Sequence, residues 1–370
     1  MQGDFHYYAT YCAAALAGYD HERSLVICHS AQLVDYCSRS WLKKVGGPSE
    51  AATTQLQLEL LDARTDRMGL NDITRIWASF HFLPRDLYAE VGRGSRNYRD
   101  KYRLICGPCG ELLAETVNLA KGKGDQAAGL AMHVLADTWA HTYFAGTPSL
   151  VINNTDQHFF ELMPQEDGSF ERRRVSFSHN PSAAEDPEKG VYVGSVYQSS
   201  ENSIMNLGHG RAGHLPDYSF IRYVYQPAWG DYREILKDNP GDYEKAFSQM
   251  VYALSFLFGT EETFDKDRCV SDKVAPHLET IRGIITKRQV DASADWKAFG
   301  ESLSGEPIPD FDMNAYQDEY RSAGKFAASD TFLGRFFEAA LLQKKMVTEK
   351  IKESGNRLAG TYRVTKQKDG

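Results

Sequence analysis

The stretch Gly129-Leu-Ala-Met-His133-Val-Leu-Ala-Asp137-Thr-Trp-Ala-His141-Thr-Tyr-Phe144 carries three potential metal ligands at helical spacing. His133, Asp137 and His141 fall at positions i, i+4 and i+8, so a helix would align them along one face. The residues around them are mostly apolar, which is typical of a helix buried on every side. A carboxylate buried between two imidazoles needs a compensating partner. A divalent metal fits, since neutral His and ionised Asp are usual donors; the alternative is a metal-free hydrogen-bonded network.

The composition is that of an ordinary globular protein of 370 residues, with 42% hydrophobic and 25% charged residues. The formal net charge is -8, which argues against a broad electrostatic surface for duplex nucleic acid. The negative net charge does not argue against binding of one phosphate group at a metal site, because the metal ions would supply positive charge there.

No apolar run approaches the roughly 20 residues that a membrane span needs, so we expect no transmembrane segment. The first residues, Met1–Tyr8, lack the basic start and the apolar core of a signal peptide. Unless a leader has been removed, the sequence predicts a cytoplasmic protein. It does not predict an oligomeric state.

The sequence as a whole predicts one mainly helical domain over residues 1–370. Residues 53–61 alternate in the manner of a strand or a loop ladder. Residues 146–205 are rich in Pro, Asn, Asp, Ser and Gly and contain short strand-like pieces, which indicates an insertion or a lid within the domain. We expect the tail, residues 360–370, to be disordered.

Three further candidate ligands precede the helix that is predicted around His133. His6 lies near the start of the first predicted helix and Asp35 near the end of the second. An antiparallel hairpin of these two helices would place both residues at the same end. His81 lies in an aromatic run that ends at Pro84, where a single histidine is more often a satisfied core residue.

The segment Leu207–Tyr218 contains two histidines among three glycines. Glycine lets a backbone approach closely and adopt unusual angles, so His209 or His214, together with Asp217, forms a second candidate ligand pair. Arg211, beside the glycines, could neutralise a phosphate oxygen. The alternative is an ordinary loop in which His209 caps a turn and the other side chains are solvated.

Six cysteines are spread over the chain. Reduced cysteines in apolar helices behave as small hydrophobic residues, and three of the six lie in such stretches. Cys106-Gly-Pro-Cys109 is a C-x-x-C, but it lacks a second pair for a zinc ribbon and the βαβ context of a thioredoxin motif. We therefore interpret it as a turn that enters a helix.

Taken in chain order, the candidate ligands resemble the pattern of the zinc-dependent phospholipase C and single-strand nuclease superfamily. The most specific motif of that superfamily is His-x-x-x-Asp-x-x-x-His, which residues 133–141 match. Ser30-Ala-Gln-Leu-Val-Asp35 is similar to its Gly-Ala-x-x-Pro-Asp segment, and His81 is the natural candidate for its second histidine. The resemblance implies a multi-helix, phospholipase C/nuclease-like bundle that holds two or three zinc ions in a cleft.

Two segments, Asp4–Tyr11 and Ala136–His141, also look like an uncharacterised bacterial protein family, a likeness that covers most of the chain. This second resemblance supplies no function.

The sequence departs from the superfamily at its N-terminus. Secreted members use the amine of a mature N-terminal Trp as a ligand, whereas this chain begins Met1-Gln2. We therefore expect that one ion lacks a donor, or that the site holds two ions rather than three.

The resemblance implies a metal-dependent hydrolase of phosphoester bonds that uses a metal-bound water in a di- or trinuclear site. Zinc is the expected ion, with iron or manganese as alternatives. The expected substrate is a small phosphoester, such as a phospholipid head group or a nucleotide, or a single-stranded nucleic acid. Asp35, Asp137 and Arg211 are the predicted catalytic residues, with Asp137 bridging two ions. The predicted metal ligands are His6, Asp35, His81, His133, Asp137, His141, His209, His214 and Asp217.

Two other functions remain compatible with the same residues. The chain could be a non-catalytic metal-binding or interaction protein, in which the metal is structural or absent. It could also be a metal enzyme of different chemistry, such as an amide hydrolase or an iron-dependent oxygenase, because His and Asp ligands also suit iron. The amount of bound metal distinguishes the non-catalytic protein from the hydrolase. The identity of the metal distinguishes the enzyme of different chemistry from the hydrolase.

Overall fold

The computed structural model describes residues 1–92, 94–178, 185–194 and 207–361. A π-helical segment, Asp4–Ala9, leads directly into the first α-helix. In chain order the α-helices are α1 (Thr10–Ala17), α2 (His21–Leu33), α3 (Arg39–Val45), α4 (Gln57–Ala63), α5 (Arg67–Phe80), α6 (Arg96–Tyr102), α7 (Glu111–Ala120), α8 (Asp125–Ala140), α9 (Leu150–Asn153), α10 (Asn239–Phe258), α11 (Leu278–Thr286), α12 (Ser293–Ser304), α13 (Gln317–Ser322), α14 (Gly324–Ala327) and α15 (Phe332–Glu353). The strands are β1 (Phe160–Pro164), β2 (Phe170–Arg174), β3 (Ser176–Ser178), β4 (Val191–Val193), β5 (Arg222–Tyr225) and β6 (Ile235–Asp238).

Helix α8 lies at the centre of the helical part, and every residue from Gln126 to Ala140 is buried. Apolar side chains project from it in all directions, so no face of the helix is suited to water. Helices α2, α7, α10 and α15 surround it. The prediction of a mainly helical protein with a buried helix around His133 is confirmed.

The described helices do not include one that is both long enough and apolar enough to cross a membrane. This agrees with the absence of long apolar runs in the sequence.

The prediction for residues 53–61 is wrong in its second half, because helix α4 begins at Gln57. The carboxylate of Glu59 accepts hydrogen bonds from the backbone N–H groups of Leu56 at 3.2 Å and Ser40 at 2.8 Å. A glutamate that binds the backbone just before its own helix stabilises the helix start. This capping outweighs the alternation of apolar residues.

A four-stranded antiparallel sheet in the order β2-β1-β5-β6 accompanies the helices, and β3 and β4 form a short parallel pair. Strand β1 pairs with β2 and with β5, so that Phe160 lies opposite Arg174 and Val224. The predicted insertion at 146–205 thus contributes β1 to β4, and the later strands β5 and β6 complete the sheet. Residues 179–184 and 195–205 of that insertion, and 362–370 of the predicted tail, lie outside the described residues.

The sheet has a hydrophobic cluster of its own, which joins it to the ends of two helices. Phe82 comes from the segment after α5, and Phe144 from the segment after α8. The ring of Phe144 stacks on Tyr225 with centroids 5.6 Å apart, and Tyr225 stacks on Phe159 at 5.7 Å. The sheet therefore fixes the segments that leave α5 and α8.

Gly129 sets the distance between α2 and α8. A Cβ atom at this position would lie 2.1 Å from the carbonyl oxygen of Ile27 and 2.7 Å from the Cβ of Ser30, both on α2. Glycine allows the two backbones to approach this closely. Since α2 ends two residues before Asp35, the same contact controls how far Asp35 lies from α8.

We expect Gly129→Ala to lower the free energy of unfolding by about 1–3 kcal/mol, because the added methyl group overpacks the contact between α2 and α8. Gly283→Ala is the matched control, since Gly283 lies inside α11 and an added Cβ meets nothing within 4 Å. Alanine should stabilise that helix by up to about 1 kcal/mol. Chemical denaturation measures both changes; a Gly129→Ala variant as stable as the wild type would contradict the close approach.

Candidate metal centre

The predicted ligands come from separate segments of the chain and meet around the carboxylate of Asp137. His6 lies in the π-helical segment before α1, Asp35 follows α2, and His81 caps the C-terminus of α5. His133 and Asp137 lie on α8 itself. The helical spacing predicted on α8 therefore aligns its ligands with groups from distant parts of the sequence.

Among the described residues, the potential ligand atoms form three groups, in each of which all atoms lie within 4.8 Å of one another. We call them the first, second and third donor groups. In that order they consist of His6, His133 and Asp137; of Asp35, His81 and His133; and of His141, His209 and Asp217. Because the first two groups share His133, and Asp137 contacts members of all three, the groups form one cluster.

The distances around Asp137 suit metal coordination. Its Oδ1 atom lies 3.2 Å from Nε2 of His6, and its Oδ2 atom lies 3.3 Å from Nδ1 of His81 and 3.2 Å from Nε2 of His133. Donors at the corners of a tetrahedron with bonds of about 2.0 Å are separated by about 3.3 Å. The donors are therefore spaced as they would be around a small divalent ion.

Backbone carbonyls hold one ring nitrogen of each of three histidines. Nδ1 of His133 lies 2.9 Å from the oxygen of Ala31, Nε2 of His81 lies 3.1 Å from that of Thr53, and Nδ1 of His141 lies 2.7 Å from that of His81. A carbonyl oxygen only accepts hydrogen bonds, so these nitrogens carry the ring protons. When such a ring is neutral, its other nitrogen presents a lone pair, and such carbonyl contacts are typical of metal-binding histidines.

When both rings are neutral, the lone pairs of His81 and His133 face one another inside the cluster. Nδ1 of His81 and Nε2 of His133 lie 3.2 Å apart, and both contact Oδ2 of Asp137. Burial lowers the pKa of His133 to about 4, so an additional proton on that ring is unfavourable at neutral pH. A cation between the three atoms would replace their mutual repulsion by coordination, and the residues present fit a metal ion.

His6 provides a second indication. It is fully buried; its Nδ1 atom has no hydrogen-bond partner among the described residues, and its Nε2 atom, 3.2 Å from Oδ1 of Asp137, is not aligned for a hydrogen bond. Burial lowers its pKa to about 4, and its ring stacks on His133 with centroids 3.8 Å apart. Buried polar atoms are normally satisfied, so a nitrogen that faces Asp137 without a partner fits the role of a ligand.

Asp217 organises the third donor group. Its Oδ1 atom lies 3.2 Å from Nε2 of His141, and its Oδ2 atom lies 3.7 Å from Nε2 of His209. The other nitrogen of His209 contacts the carbonyl of Gly213 at 2.7 Å. His214 is 51% exposed and contacts Asp217 at 3.0 Å, and this hydrogen bond raises the pKa of His214. His209 thus belongs to the donor group, and His214 lies beside it.

The structure adds one group that sequence analysis did not include, the α-amino group of Met1. It lies 2.8 Å from Oδ1 of Asp137, 3.2 Å from Nε2 of His141 and 3.3 Å from Oδ1 of Asp217. Burial lowers its pKa, but Asp137 and Asp217 outweigh this effect and raise the pKa to about 11. An amine therefore lies where the sequence predicted a missing donor. In the sequence, the sign of this position is that Met1 lies only five residues before the candidate ligand His6.

One ammonium group does not balance the carboxylates of the cluster. Burial would raise the pKa of Asp137 and of Asp217, but the surrounding histidines and the Met1 amine hold both well below their usual range. Burial raises the pKa of Asp35. Two firmly ionised carboxylates against one ammonium leave negative charge in a buried place, which a divalent cation would neutralise.

Solvent reaches the cluster at the side chains of Asp35, which is 31% exposed, and His209, which is 18% exposed. Arg211 lies in a 3-10 turn, Gly210–Ala212, close to His209 in sequence. Burial lowers the pKa of its guanidinium. Its role at a phosphate oxygen stays a prediction.

We expect removal of zinc from the metal-loaded protein by a chelator to lower the Tm by several degrees, because uncompensated lone pairs would again face one another. His133→Phe should abolish this response, since it removes the nitrogen shared by two donor groups. His29→Phe is the matched control and should retain the response, because His29 is a buried histidine among aromatic rings and belongs to no donor group. A wild-type Tm that responds to neither chelator nor zinc would contradict the metal centre.

Comparison with known families gives one match. Residues 1–351 match a family model described as a family of unknown function, DUF6765. No curated protein and no solved structure matches the chain. The expected membership of an uncharacterised family is confirmed, whereas the comparisons give no support to the resemblance to the phospholipase C and nuclease superfamily. Because the match covers every predicted ligand and nearly the whole chain, the protein belongs to the family of unknown function DUF6765.

Proposed function

We propose that this protein is a metal-dependent hydrolase that cleaves a phosphoester bond at a centre of two or three divalent ions. The observation that carries the proposal is the convergence of three donor groups in one buried cluster that reaches solvent. Neutral imidazoles and carboxylates suit zinc, with iron or manganese as alternatives. A pair of such ions supplies an acidified water and positive charge for phosphate oxygens.

The cluster has a buried centre and a partly exposed edge. Asp137 contacts members of all three donor groups and is therefore the best candidate for a bridging ligand. Oδ1 of Asp35 lies 3.8 Å from His81 and 3.9 Å from His133, farther than the contacts around Asp137. Asp35 is therefore the loosest member of the second donor group, and since it also remains partly exposed, we assign it to the substrate-facing edge of that group, where it would orient the attacking water and accept its proton.

The charge of the chain favours a small substrate. The formal net charge is -8, and Asp35 lies at the exposed edge of the cluster. A long polyanion would be repelled by such a surface, whereas a single phosphoester needs attraction at one point. We therefore place a small phosphoester or a lipid head group ahead of single-stranded nucleic acid, with Arg211 as the candidate partner of a phosphate oxygen.

One observation favours a second candidate function, a non-catalytic interaction protein whose buried charges are paired without metal. The ammonium group of Met1 lies 2.8 Å from Asp137 and already compensates part of its charge. This alternative leaves Nδ1 of His6 unexplained, which is buried without a hydrogen-bond partner among the described residues, so it ranks second.

Elemental analysis of the wild type beside Asp137→Asn tests the proposal. We expect up to one ion for each of the three donor groups in the wild type and loss of most of the metal in the variant, because a neutral amide replaces a shared carboxylate. Hydrolysis of nitrophenyl phosphate mono- and diesters should fall about 100-fold or more.

Asp100→Asn is the matched control, because Asp100 is a buried aspartate outside the donor groups; it should keep both metal and activity. A wild type that binds no metal even after reconstitution would eliminate the hydrolase and leave the ion-pair network. Bound metal without any phosphoester hydrolysis would support the non-catalytic alternative.

The amino group of Met1 permits a separate test. We expect a tag attached ahead of Met1 to reduce the metal content by about one ion, because an amine can give up a proton to bind a metal, whereas the nitrogen of a peptide bond has no lone pair available for one. The same tag attached after Gly370 is the control. Equal metal content in the two proteins would show that the amine is not a ligand.

A further inference from the structure

Cys109 and Cys269 form a pair of thiols outside the metal cluster. Their Sγ atoms lie 3.7 Å apart, although 160 residues separate them in sequence. Cys109 precedes α7, and Cys269 lies between α10 and α11. Both are partly exposed, whereas the other four cysteines are buried. All six cysteines lie in the described ranges. A small oxidant can therefore reach Cys109 and Cys269, but not the four buried cysteines.

The backbone around Cys109 fixes the direction of its side chain. Cys109 has a φ angle of 61°, which lies in the left-handed region that side chains rarely adopt. The next residue, Gly110, packs against the backbone of Arg85: an added Cβ would lie 2.4 Å from the Arg85 carbonyl oxygen. This close contact holds the turn in place, with the thiol of Cys109 directed at Cys269.

Cys269 is held from the other side by Gln249 on α10. Nε2 of Gln249 donates to Sγ of Cys269 at 3.6 Å and to the carbonyl of Lys266 at 2.9 Å. Its Oε1 atom accepts a hydrogen bond from the ring nitrogen of Trp139 at 2.9 Å. Both thiols are thus positioned by fixed neighbours rather than by chance contact of mobile loops.

The two cysteines differ in reactivity. The hydrogen bond from Cys269 lowers the pKa of Cys109 to about 7, with support from the charge of Arg85. The same contact raises the pKa of Cys269. A thiolate is the nucleophile in thiol–disulfide exchange, so Cys109 is suited to attack and Cys269 to resolve the intermediate.

The C-x-x-C motif does not form the reactive pair. Cys106 is buried, and its Sγ atom faces the carbonyl oxygen of Asp137 at 4.0 Å. The C-x-x-C motif forms the predicted turn into α7. The partner of the Cys109 thiol is Cys269, from a distant part of the chain.

We propose that Cys109 and Cys269 form a reversible disulfide, with a low-molecular-weight disulfide as the oxidant. The Cys109 thiolate attacks one sulfur of the oxidant, which breaks its S–S bond and releases one thiolate. The sulfur of Cys269, after losing its proton to solvent, attacks the mixed disulfide at Cys109 and expels the second thiolate. Two cysteine thiols are oxidised, the oxidant is reduced to two thiols, and the two cysteine protons end on them.

The required movement is small. A disulfide bond is about 2.05 Å long, so the two sulfurs must approach by roughly 1.7 Å from their 3.7 Å separation. The bond would tie the start of α7 to the segment after α10. Because it closes a loop of about 160 residues, it should restrict the unfolded chain and raise the Tm by about 5 °C.

The experiment uses the full-length native protein. After incubation with oxidised glutathione, free thiols are alkylated and the digest is mapped without reduction. We expect a linked peptide pair that contains Cys109 and Cys269, a fall in free thiols from six to four, and a raised Tm that dithiothreitol reverses.

Cys109→Ser and Cys269→Ser should each remove the oxidant-dependent rise in Tm, and Cys37→Ser, at a buried cysteine, should retain it. A Cys106–Cys109 bond, a lasting glutathione adduct on Cys109, an intermolecular bond or an unchanged thiol count would each overturn the proposal. Peptide mapping of the wild type decides the matter even if a variant fails to fold.

Discussion

The burial of the Asp137 carboxylate in the central helix is the constraint on which the rest of the structure depends. A carboxylate taken out of water must be compensated by neighbouring groups, and here they arrive from the N-terminal segment, from the end of α5 and from α8 itself. The large helical core brings these segments to α8, and the sheet fixes the chain where it leaves the cluster. The fold is thus arranged around a polar centre rather than around an uninterrupted apolar core.

The histidines of the cluster are positioned by the backbone more than by one another. Each carbonyl that accepts a hydrogen bond from a ring also fixes the direction of the opposite nitrogen. Ala31 and Thr53, which supply two of these carbonyls, are unremarkable residues in sequence. Their contribution comes from the path of the main chain, so a substitution there that keeps the backbone would leave the ligand geometry unchanged.

Sequence alone predicted the local features of the fold and of the site. The spacing of His133, Asp137 and His141 is a property of one helix, and α8 carries the first two residues and ends at the third. What sequence could not decide depends on contacts between distant segments. The choice between His209 and His214 rests on the carbonyl of Gly213, and the position of the Met1 amine on the packing of the first helical segment.

An error and an omission elsewhere have different causes, one in a local capping contact and one in a contact between distant segments. The pattern of 53–61 suggested alternation, but the side chain of Glu59 decided the conformation by binding the backbone. Cys109 was considered only with its neighbour in the C-x-x-C motif, because nothing in a sequence indicates a partner 160 residues away. The pairing of Cys109 with Cys269 depends on how the chain folds in three dimensions. It also depends on the left-handed backbone conformation of Cys109, which its sequence does not reveal.

His81 enters the cluster twice, through its ring nitrogen at Asp137 and through its carbonyl oxygen at His141. A shift of the main chain at this position would therefore turn the His141 ring as well as displace the His81 ring. The second and third donor groups are mechanically joined through one residue, and neither can be reshaped independently of the other. A variant that loses the imidazole of His81, and with it the second donor group, would still need the backbone of residue 81 in place to orient His141.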